Sequence, residues 1–170
     1  MISSDIPDWS REQKPFFAWQ PSKSLLASIR CYQKYNSSLL PWFLLLKIVA
    51  VVQHRFWSVI TGADIPLNCN IAGGLLIPHP NGIVIHPNAK VGPNCLIFQQ
   101  VTIGSRAGTK APTIAGHVDI GAGAKILGDI TIGAHAQIGA NAVVLINVPD
   151  GQIAVGIPAK IISKSISKSI

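Results

Sequence analysis

Five histidines (His54, His79, His86, His117 and His135) and three cysteines (Cys31, Cys69 and Cys95) are the side chains of this 170-residue chain most able to do chemistry near neutral pH. An imidazole can move a proton or bind a metal in that range, and a thiolate can act as nucleophile or ligand. The cysteines form no close-spaced pair, so the odd trio reads as reduced, buried thiols of a cytoplasmic protein. Four of the histidines, His79, His86, His117 and His135, offer candidates for a zinc site, which needs three of them to converge. His79 stands apart because it lies in a break of the repeat that organises the rest of the chain.

From Ile65 onward an aliphatic residue recurs at every sixth position: Ile65, Ile71, Ile77, then Ile85, Val91, Ile97, Ile103, then Ile114, Ile120, Ile126, Ile132, Ile138 and Val144. Four places later the residue is small or compact, as at Ala89, Cys95, Val101, Val118, Ala124, Ala136 and Ala142. Gly often follows the aliphatic residue, as at Gly92, Gly104, Gly121, Gly133 and Gly139. Neither the helical period of 3.6 nor the strand period of 2 alone locks at six. A triangular parallel β-helix does, with one hexapeptide per wall, aliphatic side chains stacked inside and small residues at narrow corners. Four to five coils stacked about 4.8 Å apart would stand roughly 20 Å tall. The register breaks twice, between Ile77 and Ile85 around Pro80-Asn81-Gly82, and between Ile103 and Ile114 around Arg106, Gly108, Thr109 and Lys110. Insertions in a solenoid are extruded as loops, and the chemistry is expected there.

Composition divides the chain at the same place. Ten of the eleven aromatic residues precede residue 65, whereas residues 65–148 carry only six charges. The apolar fraction of 48% excludes intrinsic disorder. The excess of 14 basic over 7 acidic residues is dispersed and lacks aromatic platforms, which argues against nucleic acid. Three segments are expected: an α-helical region 1–63, the β-helix 64–162 and a basic tail 163–170. Within the first, Leu25, Ile29 and Tyr32 share a face of a helix opened by Ser22 or Ser24, and a second helix runs from Pro41 to just before Gly62. The apolar stretch Leu39–Val52 spans only fourteen residues with Pro41 and Lys47 inside, and the chain has no uncharged apolar stretch of about 18 residues. A packed cap or oligomer interface is therefore preferred, with peripheral membrane contact through Trp42, Phe43 and the basic charges as the lesser expectation. The N-terminus has no basic stretch followed by an apolar run and does not read as a secretory signal.

The hexapeptide run, the entry Asp64-Ile65-Pro66, the His79 loop, the segment Ile120-Gly121-Ala122-Gly123-Ala124-Lys125-Ile126-Leu127-Gly128-Asp129-Ile130 and the closing Val155-Gly156-Ile157-Pro158-Ala159-Lys160 resemble the serine acetyltransferase branch of the hexapeptide-repeat acyltransferases. The resemblance covers about residues 48 to 162 and implies a left-handed β-helix, homotrimers (alone or paired), acetyl-CoA as donor, no metal, and active sites between subunits. It matches His79 to the catalytic histidine, a general base that takes the proton from an acceptor hydroxyl. Asp64, fifteen residues earlier, matches the carboxylate that orients that imidazole. For the donor it implies that Ala122, Ala140 and the Gly104-Ser105 turn flank the pantetheine arm, that an N–H of this turn serves the oxyanion, and that Lys160 and Lys125 meet the phosphates.

Three departures from the family pattern fall in the acceptor pocket. Pro78 replaces the Asp before the histidine, Lys110-Ala111-Pro112 replaces Arg-His-Pro, and the second loop is three residues shorter. With Pro78, His86 and Lys110 as its candidate lining, the pocket loses partners for an amino group and a carboxylate, which points away from L-serine and toward a sugar hydroxyl, as in capsular or exopolysaccharide O-acetyltransferases. L-Serine acetylation is the alternative. A zinc carbonic anhydrase-type enzyme or a non-catalytic trimeric scaffold would each leave Asp64 without a role.

Overall fold

The computed structural model describes residues 2–15, 17–36 and 40–162. The proposed basic tail 163–170 and Leu39 lie outside them. Residues 64–162 wind as a left-handed parallel β-helix with three walls. The first wall stacks Asn70–Ile71, Lys90–Val91, Thr113–Ile114 and Thr131–Ile132. The second stacks Leu96–Ile97, Asp119–Ile120, Gln137–Ile138 and Ile153–Gly156, and Ala159–Ile162 closes it as an antiparallel strand. The third stacks Val84–Ile85, Thr102–Gly104, Lys125–Leu127 and Val143–Val144.

The repeat produces this packing directly. All thirteen aliphatic positions are at most 5% exposed and the seven small positions are fully buried. Removing each aliphatic side chain from water contributes about 1.5–3 kcal/mol, so the interior column is the main source of stability. Four of the five glycines after the aliphatic residues, all but Gly104, answer to a different constraint, the closeness of neighbouring coils. A Cβ on Gly121 would come within 2.6 Å of the Ala140 nitrogen, where only hydrogen fits. Pairing distances record the insertions: Thr102 pairs with Val84 and Val143 with Lys125, eighteen residues apart in each case, whereas Lys125 pairs with Thr102 across twenty-three. The second break thus extrudes five residues without shifting the interior register.

The helical region departs from expectation in three ways. First, residues 2–15 and 17–20 form a mostly extended strap with, among the described residues, a single 3-10 turn, Trp9–Glu12. The strap follows the corner between the first and second walls. There the buried Asn94 accepts from the Asp8 N–H (2.7 Å) and donates to the carbonyls of Ser3 and Ile6 (2.8 Å each). Glu12 pairs with Arg30 through two bonds of 2.9 and 3.0 Å, and Arg30 also reaches the Ala72 carbonyl (2.8 Å). Second, helix α1 (Pro21–Tyr35) opens on Pro21 and not on a serine; Gln20 precedes it without a side-chain cap. Proline at the first turn suffices because its missing N–H has no helical partner anyway. Leu25 and Ile29 are buried as expected.

Third, helix α2 (Pro41–Thr61) has the expected bounds but packs on one side only, so of the expected cap or oligomer interface the single chain shows only a half-covered helix. One side lies against the molecule, with Ala50 and Thr61 buried. The other carries Trp42, Leu44, Leu45, Ile48, Val52, Phe56 and Val59 exposed, Val59 at 82%. Its segment Trp42–Thr61 is long and apolar enough to cross a membrane by length and composition, which the interruption at Lys47 had argued against.

Candidate active site

Gly62 ends α2 in the left-handed conformation (φ 64°), its N–H bonding the Ser58 carbonyl (2.9 Å). A residue with Cβ is strained there, which accounts for the glycine. The chain then turns into the third wall. The Asp64 N–H donates to the Ile83 carbonyl (2.8 Å), and its own carbonyl accepts from the Ile85 N–H (3.0 Å). Asp64 therefore heads the outward column that continues through Val84, Thr102, Lys125 and Val143, and its side chain is exposed.

His79 sits where the first register break was read, on the corner between the second and third walls. Pro78 and Pro80 flank it, fixing φ on both sides and removing two donors. Beyond it the loop is pinned: the Gly82 N–H donates to the Gly62 carbonyl (2.9 Å) and the Gln100 N–H to the Asn81 carbonyl (2.9 Å). The His79 side chain is exposed and makes no hydrogen bond among the described residues. A stiff loop presenting an uncommitted imidazole suits a group that must exchange protons with a bound molecule.

The backbone bond between Gly62 and Gly82 brings the Asp64 and His79 segments into neighbouring rows. Within one chain the Asp64 carboxylate and the imidazole nevertheless do not bond each other among the described residues. Asp64 instead lines a cleft of about 470 Å³ against α2 with His54, Arg55 and Ser58. His54 Nε2 lies 2.8 Å from the Ile65 carbonyl, and Ser58 Oγ is buried without a partner among the described residues. Sequence reasoning passed over this pair; its i, i+4 spacing on the packed face of α2 was the available signal.

The remaining candidates divide between two corners. Ala122 and Ala140 stack one coil apart on the His79 corner, linked by the Asn141 N–H to the Ala122 carbonyl (2.8 Å). Gly104 and Ser105 lie at the opposite edge of the third wall, where the second loop emerges, and no carbonyl among the described residues accepts from the Ser105 N–H. His86 shares that edge. Its Nδ1 accepts from the Asn88 N–H (3.1 Å), which places the ring proton of the neutral form on Nε2. Lys110 lines a polar cleft of about 440 Å³ there with Asn88, Lys90 and Asp129. Lys125 on the wall between is engaged by the Gln100 carbonyl (2.7 Å) and Thr102 Oγ1 (3.0 Å), while Lys160 is exposed on the closing strand. One chain thus holds Pro78 and His79 on one edge of the wall and His86 and Lys110 on the other.

The four histidines weighed for zinc occupy all three corners, with His117 and His135 stacked at the third (Nδ1···Nδ1 2.7 Å), and no group of three ligands forms among the described residues. Burial pushes the Cys69 and Cys95 thiols up to about 11, whereas Cys31 is half-buried.

No family model matches the chain. It is 44% identical over 123 residues to the serine acetyltransferase of Synechococcus elongatus, spanning 71% of this chain and 50% of that one. With the serine acetyltransferase of Helicobacter pylori strain J99 it shares 44% identity over 108 residues, 62% of this chain and 63% of the relative. Among solved structures, a serine acetyltransferase in complex with CoA superposes with a TM-score of 0.71 at 34% identity, covering 85% of this chain and 58% of the other. Soybean serine acetyltransferase complexed with serine gives a TM-score of 0.72 at 30% identity, covering 90% and 65%. The chain spans about half to two-thirds of the length of these relatives. On its repeat, its fold and these likenesses, the chain belongs to the hexapeptide-repeat acyltransferases, in their serine acetyltransferase-like branch.

Proposed function

We propose that the chain is an acetyl-CoA-dependent O-acetyltransferase whose general base is His79. The observation that carries this is the exposed, hydrogen-bond-free imidazole on a pinned loop at the first register break. His79 takes the proton of an acceptor hydroxyl as that oxygen attacks the thioester carbonyl; the C–S bond then breaks and the imidazolium returns the proton to the departing thiolate. The N–H of Ser105, which no carbonyl among the described residues accepts, donates to the oxyanion. Because the candidate groups lie on opposite edges of one wall, the site is assembled at the seam between neighbouring chains of a homotrimer. Asp64 orients His79 there.

For the acceptor, the relatives favour L-serine over the sugar hydroxyl expected from the sequence: each one named is a serine acetyltransferase, one of them a complex with serine. The sugar reading keeps one support, the exposed Pro78 and Lys110 and the half-buried Ala111 where that branch has Asp and Arg-His. Thiol release from acetyl-CoA, measured with L-serine beside a panel of glycans, separates the two. L-Serine turnover is expected, with a loss of about 10²–10⁴-fold in His79→Ala. Acceptor-dependent turnover undiminished in that variant would overturn the assignment of the base.

A further inference from the structure

Helix α2 inverts the usual order of a surface helix. At about 100° per residue, its packed positions 43, 47, 50, 51, 54, 57, 58 and 61 fill an arc of about 120°, and its exposed positions fill the adjoining arc of about 200°. The middle of the exposed arc is wholly apolar, formed by Trp42, Leu45, Ile48, Val49, Val52, Phe56, Val59 and Ile60. The two polar residues of that side, Gln53 and Arg55, fall at its opposite margins.

We propose that this face seats the protein in the interface of an anionic lipid membrane, with α2 lying in the membrane plane. Three observations select a bilayer over a second copy of the chain. A partner helix covers a stripe of about 100°, roughly half of the apolar arc, whereas a lipid surface accommodates all of it. Charge is one-sided: α1 and α2 contain no Asp or Glu but carry Lys23, Lys34, Lys47 and Arg55, besides Arg30, which Glu12 pairs, so two copies apposed through these helices would repel and an anionic surface would attract them. Aromatic rings gather at both ends of the helix. The exposed Trp42 lies at one end, and the exposed Trp19 and Phe56, packed edge-on against the half-buried Trp57 (5.6 and 5.0 Å), lie at the other. Such exposed rings, with Lys34 Nζ over Tyr35 (5.3 Å), suit the headgroup level, where an apolar body and a polar tip are both satisfied. The opposite side of α2 stays on the molecule, so the helix lies on the membrane and does not cross it.

The test is sedimentation of the full chain with phosphatidylcholine vesicles and with mixed phosphatidylcholine–phosphatidylglycerol vesicles, at low and high salt. Preferential, salt-sensitive binding to the anionic vesicles is expected, reduced at least about tenfold in the double variant Val52→Glu, Phe56→Glu. Sedimentation velocity without lipid is run on both proteins. In the unsubstituted protein, bromine-labelled lipid should quench a share of fluorescence that Trp42→Phe removes, which keeps the test independent of how the double variant folds. Absence of binding to either vesicle, binding indifferent to the double substitution, or a double variant that lowers only the oligomer mass would each overturn the proposal. The last result would assign the face to a second copy of the chain. None of these readouts depends on acetyl transfer.

Discussion

In the β-helix body the large aliphatic side chains face inward and the walls are nearly uncharged; on α2 the large aliphatic side chains face outward, with Arg55 at their margin. Both segments are apolar by composition, so composition alone would treat them alike. The difference lies in periodicity. A six-residue lock gives every aliphatic residue of the body the same inward address, coil after coil. The apolar residues of α2 are too many for one stripe, and the side pressed on the molecule takes only some of them. Apolar content thus has two meanings here, a core in one region and an exposed face in the other.

Four substitutions and a pH series probe that contrast. The largest effect should come from Ile120→Ala in the interior column, expected to lower the unfolding free energy in urea by about 2–5 kcal/mol through lost burial and a cavity that stacked coils cannot close. Val52→Ala on the outward face of α2 should change it by less than about 0.5 kcal/mol. Equal costs would mean that α2 is packed in solution and would erase the contrast. Next, Glu12→Ala should cost about 2 kcal/mol by stripping Arg30 and the Leu75 N–H of their partner, and should make the strap more open to proteolysis than the body. A uniform change in protease sensitivity would show that strap and body unfold as one.

The smallest effect concerns pH. Burial raises Cys69 and Cys95 to about 11 from the ordinary 9.0, so the folded state holds these protons more tightly. Their contribution is present below pH 9 and is lost as pH rises toward 11. The thermal midpoint should therefore decline across that window, less so in Cys95→Ala relative to its own value at pH 7. Rapid reaction of both thiols with a thiol reagent in the folded protein at pH 8 would contradict their burial.

The sequence made the body legible because its rule is local and repeated. Ile65 to Val144 could be assigned to the interior, and Pro80-Asn81-Gly82 and Arg106–Lys110 to loops, from spacing alone. The strap was not legible: residues 2–20 have no period, and their place depends on Asn94, a single corner residue more than eighty positions away. The start of α2 at Pro41 and its end at Thr61 followed from proline and glycine punctuation, but which side of α2 stays open depends on tertiary packing. At the site, His79 was marked by the register break. The cleft joining Asp64 to His54 and Ser58 was hidden, because the three residues belong to segments with unrelated patterns.

The pairing of Val84 with Thr102, of Thr102 with Lys125 and of Lys125 with Val143 runs past the five extruded residues without a slip. Each coil is registered by its own hexapeptides, so the length of the second loop is invisible to the stack beneath it. Inheritance can therefore edit that loop, residue by residue or by whole insertions, while the scaffold stays under separate selection. Grafting a longer loop between Gly104 and Pro112 asks the protein to recognise something new without asking it to fold anew.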